Sequence, residues 1–343
     1  MKLVSIIIPI YNMGSTINNC VRTILQQTYQ SIEVILVDDG STDNSYQQCL
    51  SLATIDERIT VLHTDNQGSG PARNEGIDVA QGEYMYFPDA DDVIAPDAIA
   101  TLVNTIEKSN ADLVVFGYRQ VTQSGHLLKE KKYTNSIQDG ETIRQDYTNY
   151  ISTETLYSIQ GAPWNKFFKS SIVKTYKVKF PPLRRHQDEC FISKYMCHVK
   201  TVQFIDSVLY TYTVNGLGVE WRKYPVNYID SVNSLYYNRK ETILSWNANN
   251  TSVRDKVYQE YICMFSKAME LSFAPKMKLK NKTRYKWIKE QVRASYLYDM
   301  YPPSSLRVYH KVLYILFTNN HILSAMLCLR FKILIQQIIT LFK

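Results

Sequence analysis

Through its first 115 residues the chain alternates two apolar patterns. Short β-branched or aromatic runs occur at Val4–Ile8 (halted by Pro9), Glu33–Val37, Ile59–His63, Tyr84–Phe87 and Leu113–Phe116. Between them the spacing is helical. Thr16–Gln27 places Ile17, Cys20, Val21, Ile24 and Leu25 on one face, and Ser45–Leu52, Pro71–Ala80 and Pro96–Lys108 follow. Strands alternating with helices predict βαβ units, hence an α/β fold with a mostly parallel sheet. In such sheets a ligand sits beyond the carboxyl ends of the strands. Polar runs fall at four of those ends: Tyr11-Asn12, Asp38–Asp43, Gly68–Arg73 and Asp89–Asp92. Residues 120–215 carry no clean period. From 216 the pattern turns helical (Tyr228–Trp246, Val253–Phe273), and beyond Pro302-Pro303 the chain is dense in Leu, Ile and Phe. The expected organisation is a catalytic domain over 1–215, a helical region with a Lys-rich segment over 216–302, and an amphipathic helical tail over 303–343.

Charge divides along the same line. The formal net charge is +7, but residues 1–110 hold 5 Lys+Arg against 15 Asp+Glu, and residues 276–343 hold 13 basic against 2 acidic side chains. An acidic head and a basic tail suggest two electrostatic tasks, a cation site and an anionic surface. Met1 leads directly into a strand pattern, so no secretory signal is expected. Six scattered cysteines without a CxxC pair read as reduced thiols of a cytosolic protein. No stretch has the 18 or so apolar residues of a spanning helix.

Asp89-Ala90-Asp91-Asp92 sets three carboxylates in one loop, a costly arrangement unless a cation or donors meet it. Hard oxygen ligands suit Mn²⁺ or Mg²⁺, completed by water and a phosphate-bearing substrate. No GxxxxGK[ST] is present, which excludes a P-loop. Gly68-Ser-Gly70-Pro-Ala-Arg73 imitates a dinucleotide fingerprint, but Arg73 stands where the third glycine would permit close helix packing. An arginine there can instead turn into the crevice toward a diphosphate.

Four segments together resemble glycosyltransferase family 2: Val-Ser-Ile-Ile-Ile-Pro-Ile-Tyr-Asn (4–12), Val-Asp-Asp-Gly-Ser-Thr-Asp (37–43), Gly-Pro-Ala-Arg-Asn-Glu-Gly (70–76) and the run ending Phe-Pro-Asp-Ala-Asp-Asp (87–92). Pro-Trp-Asn-Lys-Phe-Phe-Lys (163–169), Gln-Asp-Glu-Cys-Phe (187–191) and Tyr-Thr-Tyr-Thr-Val-Asn (210–215) extend the likeness through about residue 215. It implies a GT-A fold, a nucleotide-sugar donor, a divalent metal and inversion at the anomeric carbon. Carried onto this sequence, it implies that Pro9 and Tyr11 line the base pocket and that Asp38 accepts from the base, most naturally uracil. It further implies that Arg73 meets the nucleotide or its phosphates, that Asp89 and Ala90 face the ribose or donor sugar, and that Asp91 holds the metal. Asp188 matches the base that takes the acceptor proton. The usual preceding Glu is Gln187 here, Glu189 is a rival base, and Asn215–Val219 departs from the closing motif.

The expected activity is transfer of a sugar from an NDP-sugar, UDP-linked by preference, to a hydroxyl of a glycan or lipid-linked acceptor in surface polysaccharide (capsule) synthesis. A nucleotidyltransferase of related fold and a non-catalytic membrane-docked scaffold are the alternatives. Trp164 is open to two roles, stacking on an acceptor sugar or filling the core; Lys166 reads as structural. Seven basic residues lie between Lys276 and Lys289, and Phe331, Leu334, Ile335, Ile338 and Phe342 share a helical face opposite Lys332, Gln336, Thr340 and Lys343. That pattern suits an anionic membrane surface, placing the protein in the cytoplasm against the inner face of the membrane. No nucleic-acid-binding motif accompanies the basic charge.

Overall fold

The computed structural model describes residues 1–151, 157, 159, 161–214 and 224–341. Asn215–Val219 lies outside the described residues, as do Phe342, Lys343 and the side chain of Thr340. The chain divides into two compact units, Met1–Leu217 and Gly218–Lys343.

The first unit is an α/β sheet built from β1 (Val4–Ile10), β2 (Ile32–Asp39), β3 (Ile59–Thr64), β4 (Tyr84–Tyr86), β5 (Val93–Ile94), β6 (Leu113–Thr122), β7 (Leu127–Lys131), β8 (Ser136–Asp139), β9 (Lys166–Lys169) and β10 (Thr201–Val214). Its helices are α1 (Ile17–Leu25), α2 (Ser45–Ile55), α3 (Ser69–Val79), α4 (Ala98–Ser109), α5 (Gly140–Gln145), α6 (Tyr147–Tyr150), α7 (Ser170–Thr175) and α8 (Gln187–Met196). Strand order is β3-β2-β1-β4-β9-β6-β10-β5, with β7 on β6 and β8 on β10. The β3-β2-β1-β4 half is parallel. All seven residues of β1 are buried, as a strand covered on both faces requires.

Two details of this sheet prepare the site. The chain leaves β1 outward to β2 and β3, then returns to the other side of β1 as β4. Strand order therefore reverses between β1 and β4, and a crevice opens at their carboxyl ends. Pro9 does not halt β1 but lies within it; β1 pairs with β4 only through Val4–Ile6, so one flank of β1 has no ladder at Pro9. Close packing of α3 on the sheet comes from Gly76, where a Cβ would lie 2.3 Å from Ile7 Cγ2. Arg73 is thereby released from that task.

The second unit is helical: α9 (Tyr228–Ser245), α10 (Thr251–Leu271), α11 (Asn281–Arg293), α12 (Val308–Thr318) and α13 (Ile322–Leu341). Part of the tyrosine excess is spent here, Tyr236 meeting Tyr258, Tyr261 and Tyr296 at ring-centroid distances of 6.4, 4.6 and 4.9 Å. Among the described residues no helix is long and apolar enough to cross a membrane. All six cysteines are free.

Candidate active site

Backbone-to-side-chain bonds join the loops after β1 and β2. Asn12 N–H donates to Ser41 Oγ (3.0 Å), Met13 N–H to Ser45 Oγ (2.8 Å) and Gly14 N–H to Asp43 Oδ2 (3.1 Å), while Asn12 Oδ1 accepts from Thr42 N–H (2.8 Å). The Gly-Ser-Thr-Asp run thus serves to hold two loops together. It forms one wall of a cleft of about 350 Å³ lined by Pro9, Tyr11, Met13, Asp39, Gly68, Ser69, Asp89, Ala90, Asp91 and Arg184. Pro9, Tyr11, Asp89, Ala90 and Asp91 therefore converge there, from opposite sides of the reversal in strand order.

Asp38, Arg73 and Asp188 do not line this cleft. Successive residues of β2 point to opposite faces, so only one of the paired aspartates can face it. Asp38 turns inward, fully buried, and its Oδ2 lies 2.8 Å from His63 Nδ1 and accepts from Ser41 N–H. Asp39 faces the cleft, accepting Gln67 N–H on Oδ1 and Gly68 N–H on Oδ2, both at 2.8 Å. Of the two aspartates, Asp39 is the one that lines the cleft.

Arg73 is 3% exposed and does not reach into the open crevice. Its Nη2 donates to Asp89 Oδ1 at 2.7 Å and its Nη1 to Asp188 Oδ1 at 3.2 Å. The guanidinium also lies over Phe180 (5.4 Å), which stacks at 3.9 Å on Phe191 of α8. The fork is pre-shaped for two oxygen partners, and here it ties the loop after β4 to the first turn of α8. A cation lining the cleft comes instead from Arg184, whose Nη2 is held by Asn66 O at 3.2 Å.

Asp188 retains 31% of its side-chain surface. Burial holds its pKa above the ordinary carboxylate value; Arg73 opposes that rise, Asp89 adds to it, and Lys166 opposes it. Glu189, the rival base, is buried in the interior, near enough to bear on the Tyr150 hydroxyl. Gln187 is buried as well, and its Nε2 donates to Ser69 Oγ at 2.5 Å. In place of the usual carboxylate, a neutral amide here joins the starts of α8 and α3.

Behind the cleft, Asp92 is 1% exposed and accepts from Tyr210 Oη (2.6 Å) and Thr213 N–H (2.8 Å). Burial pushes its pKa up to about 8, with those two donors opposing. The Tyr210 hydroxyl also accepts from Asp89 N–H at 3.1 Å. Trp164 stacks on Tyr210 (4.7 Å, 6°) and Tyr212 (5.7 Å, 9°), two residues on one face of β10. Trp164 therefore buttresses the acidic loop through Tyr210. Lys166 is 1% exposed, donating to Ala162 O (2.8 Å) and Asn165 Oδ1 (2.7 Å), and burial lowers its pKa to about 7.

Among the described residues no three His, Cys, Asp or Glu side chains converge as a metal cage. Asp89 and Asp91 both face the cleft, a donor set that suits a cation held by one or two carboxylates and completed by substrate phosphate.

Residues 5–161 match the family model described as Glycosyl transferase family 2. The glycosyltransferase GlyG of Streptococcus pneumoniae serotype 4 is 34% identical over 226 residues, covering 62% of this chain and 70% of GlyG. The chain belongs to glycosyltransferase family 2. As a member of that family it is a glycosyltransferase, which selects the transferase reading over the nucleotidyltransferase and scaffold alternatives. Two solved structures extend the fold likeness over nearly the whole chain. One is S. aureus TarS 1-349 in complex with UDP, at TM-score 0.64 and 18% identity, covering 96% of this chain and 90% of that one. The other is the mannosyltransferase PcManGT from Pyrobaculum calidifontis in complex with GDP-Man and Mn2+, at TM-score 0.55 and 16% identity, covering 95% and 86%. The GT-A-like catalytic unit and the helical region after it are thus both shared with known transferases.

Arg184 escaped the sequence reading, and Asp39 and Tyr210 lay inside its motifs without an assigned role. Alternation along β2 was the one available signal for Asp39, since it separates the paired aspartates by face. Nothing local marks Arg184, which reaches the cleft from a loop 115 residues beyond Ser69.

Proposed function

We propose that this transferase moves a sugar from a UDP-sugar to a hydroxyl of a glycan or lipid-linked acceptor, with inversion, in the synthesis of a surface polysaccharide. The observation that carries the reading is the Asp89–Arg73–Asp188 bridge beside a cleft lined by Asp89 and Asp91. In a single displacement the acceptor hydroxyl attacks the anomeric carbon opposite the leaving nucleoside diphosphate. The sugar–phosphate bond breaks, a glycosidic bond forms, and the hydroxyl proton passes to Asp188. Arg73 holds Asp188 by Oδ1, leaving Oδ2 outside that pair to receive the proton. A pKa above the ordinary carboxylate value strengthens Asp188 as a base.

Pro9 and Tyr11 flank the nucleobase, and Asp39 accepts its N–H; the UDP bound to TarS supports a uridine nucleotide as the donor's carrier. Arg184 meets the diphosphate. Asp91, with Asp89 beside it, would hold Mn²⁺ or Mg²⁺, which when bound neutralises charge developing on the leaving phosphate; the Mn2+ in the PcManGT complex favours such an ion. The basic charge of the second unit supports action at the cytoplasmic side of an anionic membrane surface, where a lipid-linked acceptor would be presented.

The test is Asp188→Asn assayed with a panel of UDP-sugars. Transfer should fall roughly 10²- to 10⁴-fold, the range for a general base, while UDP affinity stays unchanged. Full transfer by that variant would remove Asp188 from the reaction.

A further inference from the structure

The orientation of α13 is settled by what it buries. Ile322, Ala325 and Leu329 turn inward, and Lys332 donates to the buried Glu270 of α10 at 2.6 Å. Lys332 lies on the face expected to be solvated and is instead an anchor. The opposite face is consequently apolar and open: Leu323 is 65% exposed, Leu327 70% and Phe331 66%, with Leu334 and Ile338 continuing the stripe. Helix α11 runs beside it, and the two helices with Phe273 enclose a groove of about 570 Å³, within the range of small-ligand sites.

The groove has an apolar floor of Phe273, Tyr285, Leu323, Met326 and Leu327, and its charged lining residues are Lys282 and Arg330. Neither cation forms an ion pair among the described residues, and no carboxylate lines the groove. Arg284 lies over the Phe273 ring at 4.3 Å, so a third cation adjoins the wall. Burial, and secondarily the charge of Arg330, hold the Arg284 pKa below its ordinary value; the cluster is positive and unneutralised.

We propose that the groove between α11 and α13 binds an anionic phospholipid of a bilayer, with its phosphate between Lys282 and Arg330 and an acyl chain along Leu323 and Leu327. The proposal rests on the membrane-surface reading above and names the site that effects it. Apolar floor and unpaired cations together complement a phosphate joined to a hydrocarbon chain. A second copy of the chain fits less well, because two-fold pairing of this face would set like cations against each other. Nucleic acid would supply phosphates but nothing for the apolar floor.

The experiment titrates the full chain with dioctanoyl phosphatidylglycerol below its micellar concentration, using dioctanoyl phosphatidylcholine as control, and measures sedimentation with phosphatidylcholine vesicles with and without phosphatidylglycerol. The expected result is saturable binding of one phosphatidylglycerol per chain. That affinity should fall roughly tenfold or more, about 1.4 kcal/mol, in Lys282→Gln/Arg330→Gln, and be lost in Leu327→Glu. Lys286→Gln/Lys289→Gln, changed outside the groove lining, should retain it. Vesicle binding without saturable binding of the monomeric lipid overturns the groove while leaving membrane association intact; absence of both overturns both. A stable dimer in lipid-free solution that Leu327→Glu dissociates also overturns it. UDP-sugar hydrolysis by each variant reports separately on folding and on the transferase reading.

Discussion

Arg73 and Asp188, separated by 115 residues in sequence, meet at 3.2 Å between Nη1 and Oδ1. The same guanidinium holds Asp89 at 2.7 Å. One residue of α3 therefore positions the loop that faces the cleft and the carboxylate proposed to take the acceptor proton. Because Arg73 opposes the burial-driven rise in the Asp188 pKa, its removal raises that pKa further. Arg73→Gln should shift the acidic limb of the kcat/KM profile to higher pH, since the base stays protonated longer. An unmoved limb would show that Arg73 does not govern this titration.

The paired aspartates of β2 should separate by phenotype. Asp38→Asn disturbs a buried carboxylate bonded to His63 and should cost about 1–3 kcal/mol in chemical denaturation, with UDP affinity little changed. Asp39→Asn should weaken UDP binding roughly tenfold, about 1.4 kcal/mol, as read by calorimetry. The reverse pattern would return the base-facing role to Asp38.

Arg184 supplies the cationic side chain lining the cleft, on the present assignment against the donor diphosphate. Arg184→Gln should raise the KM for the nucleotide sugar about tenfold, or about 1.4 kcal/mol, and weaken UDP more than uridine. Equal effects on UDP and uridine would remove the phosphate contact.

Lys166 links stability to pH. Its pKa is lowered to about 7 in the folded state by burial, whereas the unfolded chain keeps this proton to the ordinary lysine value, about 10.4. Between those limits the unfolded state binds more protons, so stability rises with pH, by about 1.4 kcal/mol per unit from this group. Below pH 7 both states are protonated and the dependence vanishes. Lys166→Met should flatten the curve above pH 7 in denaturant titrations at stepped pH; an unchanged slope would mean that Lys166 stays charged.

Much of the catalytic unit is legible along the chain because its core strands and helices carry their own periodicities. Val4–Ile8, Glu33–Val37 and Ile59–His63 announce β1, β2 and β3, and the four polar runs mark strand ends that do face one region. The later strands are less visible. β9 is only Lys166–Lys169, two of its four residues are lysines, and it enters between β4 and β6 because those two edges need a partner. Its Lys166 is buried against local acceptors that no one-dimensional pattern displays.

By itself, the sequence determined the α/β class, the acidic crevice at the strand ends and the family, because each depends on residue types at fixed local spacing. The tertiary structure alone decided direction and pairing. Strand pleat turns Asp39 toward the cleft and Asp38 away from it. The close seat at Gly76 leaves Arg73 free to bridge Asp89 and Asp188, and the Lys332–Glu270 pair turns the apolar face of α13 outward. These are relations between distant segments, set by packing rather than by any local pattern.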